Sequence, residues 1–146
     1  MNTVETLVEA ASTGNERKAE ECLRAGIEVN AFAVLWPPNG LTNALMAAVL
    51  VGDMRMVSFL IDRGARVNVS VKDGRTPLAI AIEQNNIAMF NLLLRERADI
   101  HAVTAGDHSI LDIAYAKARM QMIGILKNAG ARRRKHHWIR SHLDQP

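Results

Sequence analysis

The sequence predicts an all-α solenoid of four helix–turn–helix units, and three observations predict it. Chemically matched residues recur every 33 positions. Each period divides into two short helical segments around a turn residue. The outer units carry charges where the inner units carry apolar side chains. Self-similarity at a fixed period of this size is the mark of a stacked repeat array.

The period is read from Leu45, Leu78 and Leu111, from Ala48, Ala81 and Ala114, and from Asn43, Thr76 and Ser109. The last three are residue types that cap helix N-termini, because a side-chain oxygen there accepts an otherwise unpaired amide. Pro77 follows Thr76 at the first helical position, where a missing N–H costs nothing. Gly64, Arg97 and Gly130 share the spacing too.

The elements follow in order. In the second unit "NALMAAVLV" and "MRMVSFLID" are the two helices. The third has "TPLAIAIEQ" and "IAMFNLLLR", and the fourth "SILDIAYAK" and "MQMIGILKN". The chain reverses at Gly52, Asn85 and Ala118. Gly and Asn suit a left-handed helix end and Ala suits it poorly. Arg97 stands where its counterparts have glycine, so local strain or a displaced cap is expected there. The first unit fits with a shift of 38: Leu7 with Leu45, Ala10 with Ala48, Gly14 with Gly52, Gly26 with Gly64, "EVN" with "RVN". Five extra residues therefore fall within 31–40, "AFAVLWPPNG". Proline restricts the residue before it to extended backbone, so Trp36, ahead of Pro37 and Pro38, is held on a stiffened segment.

An end unit of an array has no neighbour to cover one side. Glu16, Lys18 and Glu21 occupy the slots of Met54, Met56 and Phe59, and Lys127 replaces Ile61 and Leu94. These read as caps, so four repeats are expected to be the whole domain. Cys22 takes the slot of Leu60 and Leu93 and reads as a small core hydrophobe. Met46, Met54, Met56, Met89, Met120 and Met122 lie at core spacing and call for no cofactor.

Composition narrows the function classes. Apolar residues are 49% of the 146 and charged residues 23%, as in ordinary globular domains. No apolar run is long enough to span a membrane, and no basic-then-apolar leader stands at the N-terminus. A lone cysteine excludes an internal disulfide and a thiolate metal cluster. The reading is a cytoplasmic protein. The charge sits at one end: "RRRKHHWIRSHLDQP" holds five Lys and Arg against one Asp, whereas the rest holds 13 against 14 acidic residues.

"GRTPLAIAI" and "MVSFLIDRGARVN" resemble the ankyrin repeat over residues 4–131, in units of about 4–30, 40–68, 74–101 and 107–131. The family's motif histidine is replaced by Met46, Ala79 and Asp112, and "NALM" stands for TPLH in the second unit. The resemblance implies short β-hairpin loops, with the five extra residues lengthening one of them. It also implies a concave face made of hairpin tips and first helices, used to bind another protein. On that face the resemblance places Asn39, Thr42, Lys72, Asp73, Arg75 and His108 from the hairpins, and Leu50, Val51, Glu83, Gln84 and Lys117 from the helices. Leu50 and Val51 are apolar where their counterparts are mostly polar. With Trp36 beside them they suggest a contact patch, or an apolar surface that Trp36 covers.

Catalytic chemistry has no comparable support. There is no Gly-rich phosphate loop, H-E-x-x-H or nucleophile elbow. His108 beside Asp107 lacks a nucleophile at a predictable distance. Asp112 reads as a capping or bridging group. His136, His137 and His142 lack a carboxylate or thiolate to complete a metal set. Neither metal nor cofactor is expected. The tail, 132–146, is the remaining candidate: Ile139 and Leu143 share a helical face beside Trp138, consistent with an extra helix on the last repeat. Its cations give the alternative function, binding to nucleic acid or an anionic membrane with the repeats as scaffold. The reading adopted is a monomeric, non-catalytic protein-binding module, adaptor or inhibitor, with no nucleic-acid or membrane partner.

Overall fold

The computed structural model describes residues 1–35, 40–71 and 73–134. Eight helices and one two-stranded ribbon follow in the order α1 (Val4–Ser12), α2 (Glu16–Arg24), β1 (Phe32–Leu35), β2 (Gly40–Asn43), α3 (Ala44–Val51), α4 (Met54–Asp62), α5 (Pro77–Glu83), α6 (Ile87–Arg95), α7 (Ile110–Ala116) and α8 (Met120–Asn128). Consecutive helices pair antiparallel, α1 with α2, α3 with α4, α5 with α6 and α7 with α8. The first helices of the pairs pack side by side, α1–α3–α5–α7. The arrangement is an all-α solenoid.

Seven of the eight described helix starts are written in the sequence. Thr3, Asn43, Thr76 and Ser109 accept the amides of Thr6, Met46, Ala79 and Asp112 at 2.9–3.3 Å. Asn15, Asp53 and Asn86 do the same for the second helices, from Lys18, Met56 and Met89 at 3.0 Å. Such caps contribute about 1 kcal/mol each. Arg119 holds the corresponding place in the fourth unit and makes no side-chain cap. Its guanidinium reaches back instead and donates to the carbonyls of Ile82 (3.0 Å) and Glu83 (2.7 Å), satisfying the end of α5.

The turn slot of Gly52, Asn85 and Ala118 has φ of 76°, 55° and 52° in turn. Arg97 also adopts the left-handed conformation, at φ 64°, so the cap is strained rather than displaced. Small residues line the seams between first helices: Ala48, Ala81 and Ala114 are fully buried, and larger side chains such as Met56, Phe90 and Met122 fill the space beneath. Cys22 is fully buried with them. Met120 departs from its expected core role and is 73% exposed. Its counterparts Met54 and Ile87 are each partly covered by packing against the core, whereas no further helix pair follows α8 among the described residues.

The extra residues give a ribbon that the other units lack. β1 and β2 pair antiparallel, Phe32 opposite Asn43 and Leu35 opposite Gly40. The third unit makes a tighter turn, in which Gly74 donates to the Val71 carbonyl at 2.8 Å and Val71 to that of Arg75 at 3.2 Å. The fourth has one bridge, Val103 with Ser109. The third and fourth turns touch through backbone: a side chain at Gly74 would lie 2.6 Å from the Thr104 Cα, and Ala105 donates to the Asp73 carbonyl at 2.9 Å.

Candidate protein-binding face

Side-by-side first helices bring their C-terminal ends into one row. Leu50 and Val51 end α3, Glu83 and Gln84 end α5, and Lys117 follows α7. Gln84 Nε2 donates to the Leu50 carbonyl at 2.6 Å, which ties the second and third repeats together at this row. Glu83 is half-buried and its carbonyl accepts Arg119, while Lys117 is exposed. Leu50 and Val51 remain 39% and 55% exposed, the apolar members of an otherwise largely polar row.

The hairpin residues fall into three groups. Trp36, Asn39 and Lys72 lie outside the described residues. Asp73 and Arg75 engage each other: the Asp73 carboxylate accepts the Arg75 amide at 3.0 Å and its Nε at 2.8 Å. Burial raises the Asp73 carboxyl pKa, but these bonds outweigh it and hold the group below its usual range. His108 is exposed beside Asp107, which pairs with Arg134 at 3.0 Å. Thr42, expected on the binding face, is buried. Side chains alternate along a strand, and Thr42 sits opposite Ala33 on the ribbon's inward face, so the fold covers its side chain instead of presenting it. The ribbon's other face carries exposed apolar residues that sequence reasoning did not single out: Val34 and Leu41 are directly paired and 66% and 43% exposed. Once the ribbon's register is known, period-two alternation of side chains places them on that face.

The last repeat closes differently. Asp112, in the slot of Met46 and Ala79, completes a capping box with Ser109, whose amide and hydroxyl it accepts at 3.0 and 2.9 Å. Its other contacts come from beyond α8: Arg133 Nε at 2.9 Å and the Arg134 amide at 3.1 Å. Burial pushes the Asp112 pKa up, but Arg133 and the three further donors together lower it to about 2. Arg133 takes the slot of Val67 and Ile100 and also covers the Tyr115 ring, 4.4 Å from its centroid. Two of the tail's cations, Arg133 and Arg134, are thus committed to the fold.

The family description "Ankyrin repeats (3 copies)" matches residues 7–104. The chain belongs to the ankyrin-repeat family. It is 37% identical over 93 residues to the B-cell lymphoma 3 protein homolog of Mus musculus, a match covering 63% of this chain and 20% of that protein. To the human B-cell lymphoma 3 protein it is 33% identical over 127 residues, 84% of this chain and 28% of that protein. The Nuclear factor NF-kappa-B p105 subunit of Mus musculus is 32% identical over 125 residues, 84% and 13% respectively. The chain therefore spans less than a third of the length of each of these relatives. Ankyrin repeats are generally protein–protein interaction modules and in general non-catalytic. No helix among the described residues is long and apolar enough to cross a membrane, and no three metal-ligating side chains gather among them.

Proposed function

We propose that this chain binds a partner protein through its concave face, as an adaptor or as an inhibitor that occludes the partner's own surface. The observation that carries the reading is the exposure of Leu50 and Val51 at the end of α3, within a row where Glu83 ends α5 ahead of its cap Gln84 and Ala116 ends α7 ahead of its cap Lys117. Exposed apolar side chains on a rigid frame lose little entropy on association. They supply affinity at the centre, and the charges around them, with Asp73, Arg75 and His108 on the hairpins, supply specificity. Trp36, Asn39 and Lys72 belong to the same proposed face by sequence position. The tail-centred alternative is weakened by Arg133 and Arg134, whose side chains are engaged with Asp112 and Asp107.

The test is affinity capture from native lysate with wild type, Val51→Glu, Trp36→Ala and a chain ending at Arg134. The truncation keeps the contacts of Asp112. A protein recovered by wild type and by the truncation, and lost with Val51→Glu, supports the concave face. Recovery that needs only residues 135–146 and falls steeply with salt supports the tail.

A further inference from the structure

A second surface carries an inference beyond the concave face and shares no residue with it. A groove of about 510 Å³ is lined by the start of the ribbon and by the segments that end the second and third repeats. Phe32, Val67 and Val69 make its apolar part, and Arg66, Glu96 and Arg97 its charged rim. Strand alternation puts Phe32 on the ribbon face that carries Val34 and Leu41, so the apolar surface continues outward from the groove. The walls are preorganised. Asn30 accepts the Arg66 amide at 2.8 Å and donates to the Gly64 carbonyl at 3.0 Å. Asn68 repeats this one unit on, accepting from Asp99 at 2.7 Å and donating to the Arg97 carbonyl at 3.2 Å.

The rim cations are unspent. Arg63, Arg75, Arg119, Arg133 and Arg134 all bond to protein groups. Among the described residues, neither the Arg66 nor the Arg97 guanidinium does. Arg97 also holds a backbone conformation that Gly26, Gly64 and Gly130 adopt freely in the same slot. Ala118 is strained in the same way, so strain alone marks nothing. What sets Arg97 apart is backbone strain, a free guanidinium and a place on the rim of an apolar groove together, and strained positions cluster at ligand clamps. Glu96 leaves the rim at a net of one positive charge, which suits one carboxylate beside apolar side chains better than a long acidic run.

We propose that this groove binds an extended segment of a partner protein in which an acidic residue neighbours apolar ones. The carboxylate is held by Arg66 and Arg97, whose planar guanidinium groups match it in shape and charge. The apolar side chains lie against Phe32, Val67 and Val69.

Fluorescence anisotropy on the full chain tests this with three short labelled peptides of alternating sequence: Glu–Leu, Glu–Ser and Gln–Leu. The Glu–Leu peptide is expected to bind at least about tenfold more tightly than either control, because each control lacks one half of the recognition. Arg97→Gly and Arg66→Ala are each expected to weaken it by about tenfold, the scale of losing one charge-assisted pair. Arg97→Gly removes the cation and the strain together, so its melting temperature should not fall, which separates a binding role from a structural one. Val51→Glu should leave peptide affinity unchanged. Equal binding of Glu–Leu and Glu–Ser, or wild-type affinity in both arginine variants, overturns the proposal. So does an equal loss in Val51→Glu, which would move the site to the concave face.

Discussion

The second and fourth repeats are built on one template and depart from it in opposite directions. In the second, the departures face outward. A lengthened ribbon carries Val34 and Leu41, and α3 ends in exposed Leu50 and Val51. In the fourth they turn inward. Asp112 and Arg133 put an ion pair where other repeats place apolar side chains, and Tyr115 receives the arginine on its ring. An interior repeat has neighbours on both sides and can vary its surface without loosening its core. The fourth has no further helix pair packed on it among the described residues, and it varies on that side. Function is therefore expected in the second repeat, and stability in the fourth.

The comparison is broken most strongly at Asp112. Asp112→Ala removes a cap and leaves the Ser109 and Arg134 amides and the Arg133 guanidinium without their acceptor. A loss of about 3 kcal/mol is expected, close to 10 °C in melting temperature for a chain of this length, measured by urea and thermal unfolding. Val51→Glu should change stability by no more than about 0.5 kcal/mol in the same experiment.

Acid sharpens the same contrast. The folded Asp112 carboxyl titrates at about 2, below the value near 3.9 of an unfolded aspartate. Its contribution is complete above the unfolded pKa and is lost as pH falls toward the folded one. The stability gap between wild type and Asp112→Asn should be constant from neutral pH to about pH 5 and shrink between about pH 4 and 2. A gap that does not vary with pH would mean that Asp112 acts only by packing.

Two smaller effects test the backbone and the caps. Ala118→Gly should stabilise the fourth repeat by about 1 kcal/mol, since glycine adopts its positive φ without steric cost. Gly52→Ala should cost about as much in the second. Asn43 keeps its cap oxygen busy, but its Nδ2 is buried with no partner among the described residues. Asn43→Thr keeps an acceptor and drops the orphan donor, as Thr76 does one repeat on, and should add up to about 1 kcal/mol.

The period made much of this legible. A 33-residue spacing located the helices, their caps and the turn slots, because these depend on residues a few positions apart. It also read Asp112 as a capping group. What it missed depends on neighbours. Thr42 is buried because the ribbon folds its Ala33 side inward. Met120 is exposed because a repeat spacing marks a slot without saying whether anything covers it. Arg133 and Asp112 are 21 residues apart, outside any local pattern, and only the fold joins them. Arg119 stands in a cap slot that sequence reasoning did not single out, and its guanidinium serves the preceding repeat.

The central claim is that the apolar end of α3, rather than the Lys117 cap of α7, meets the partner. Isothermal titration of a captured partner into Val51→Glu and Lys117→Glu tests it most directly, since both introduce a glutamate at the end of a first helix. The account predicts at least a tenfold loss of affinity for Val51→Glu, about 1.4 kcal/mol, and a much smaller change for Lys117→Glu. Wild-type affinity in Val51→Glu, or a greater loss in Lys117→Glu, would contradict it.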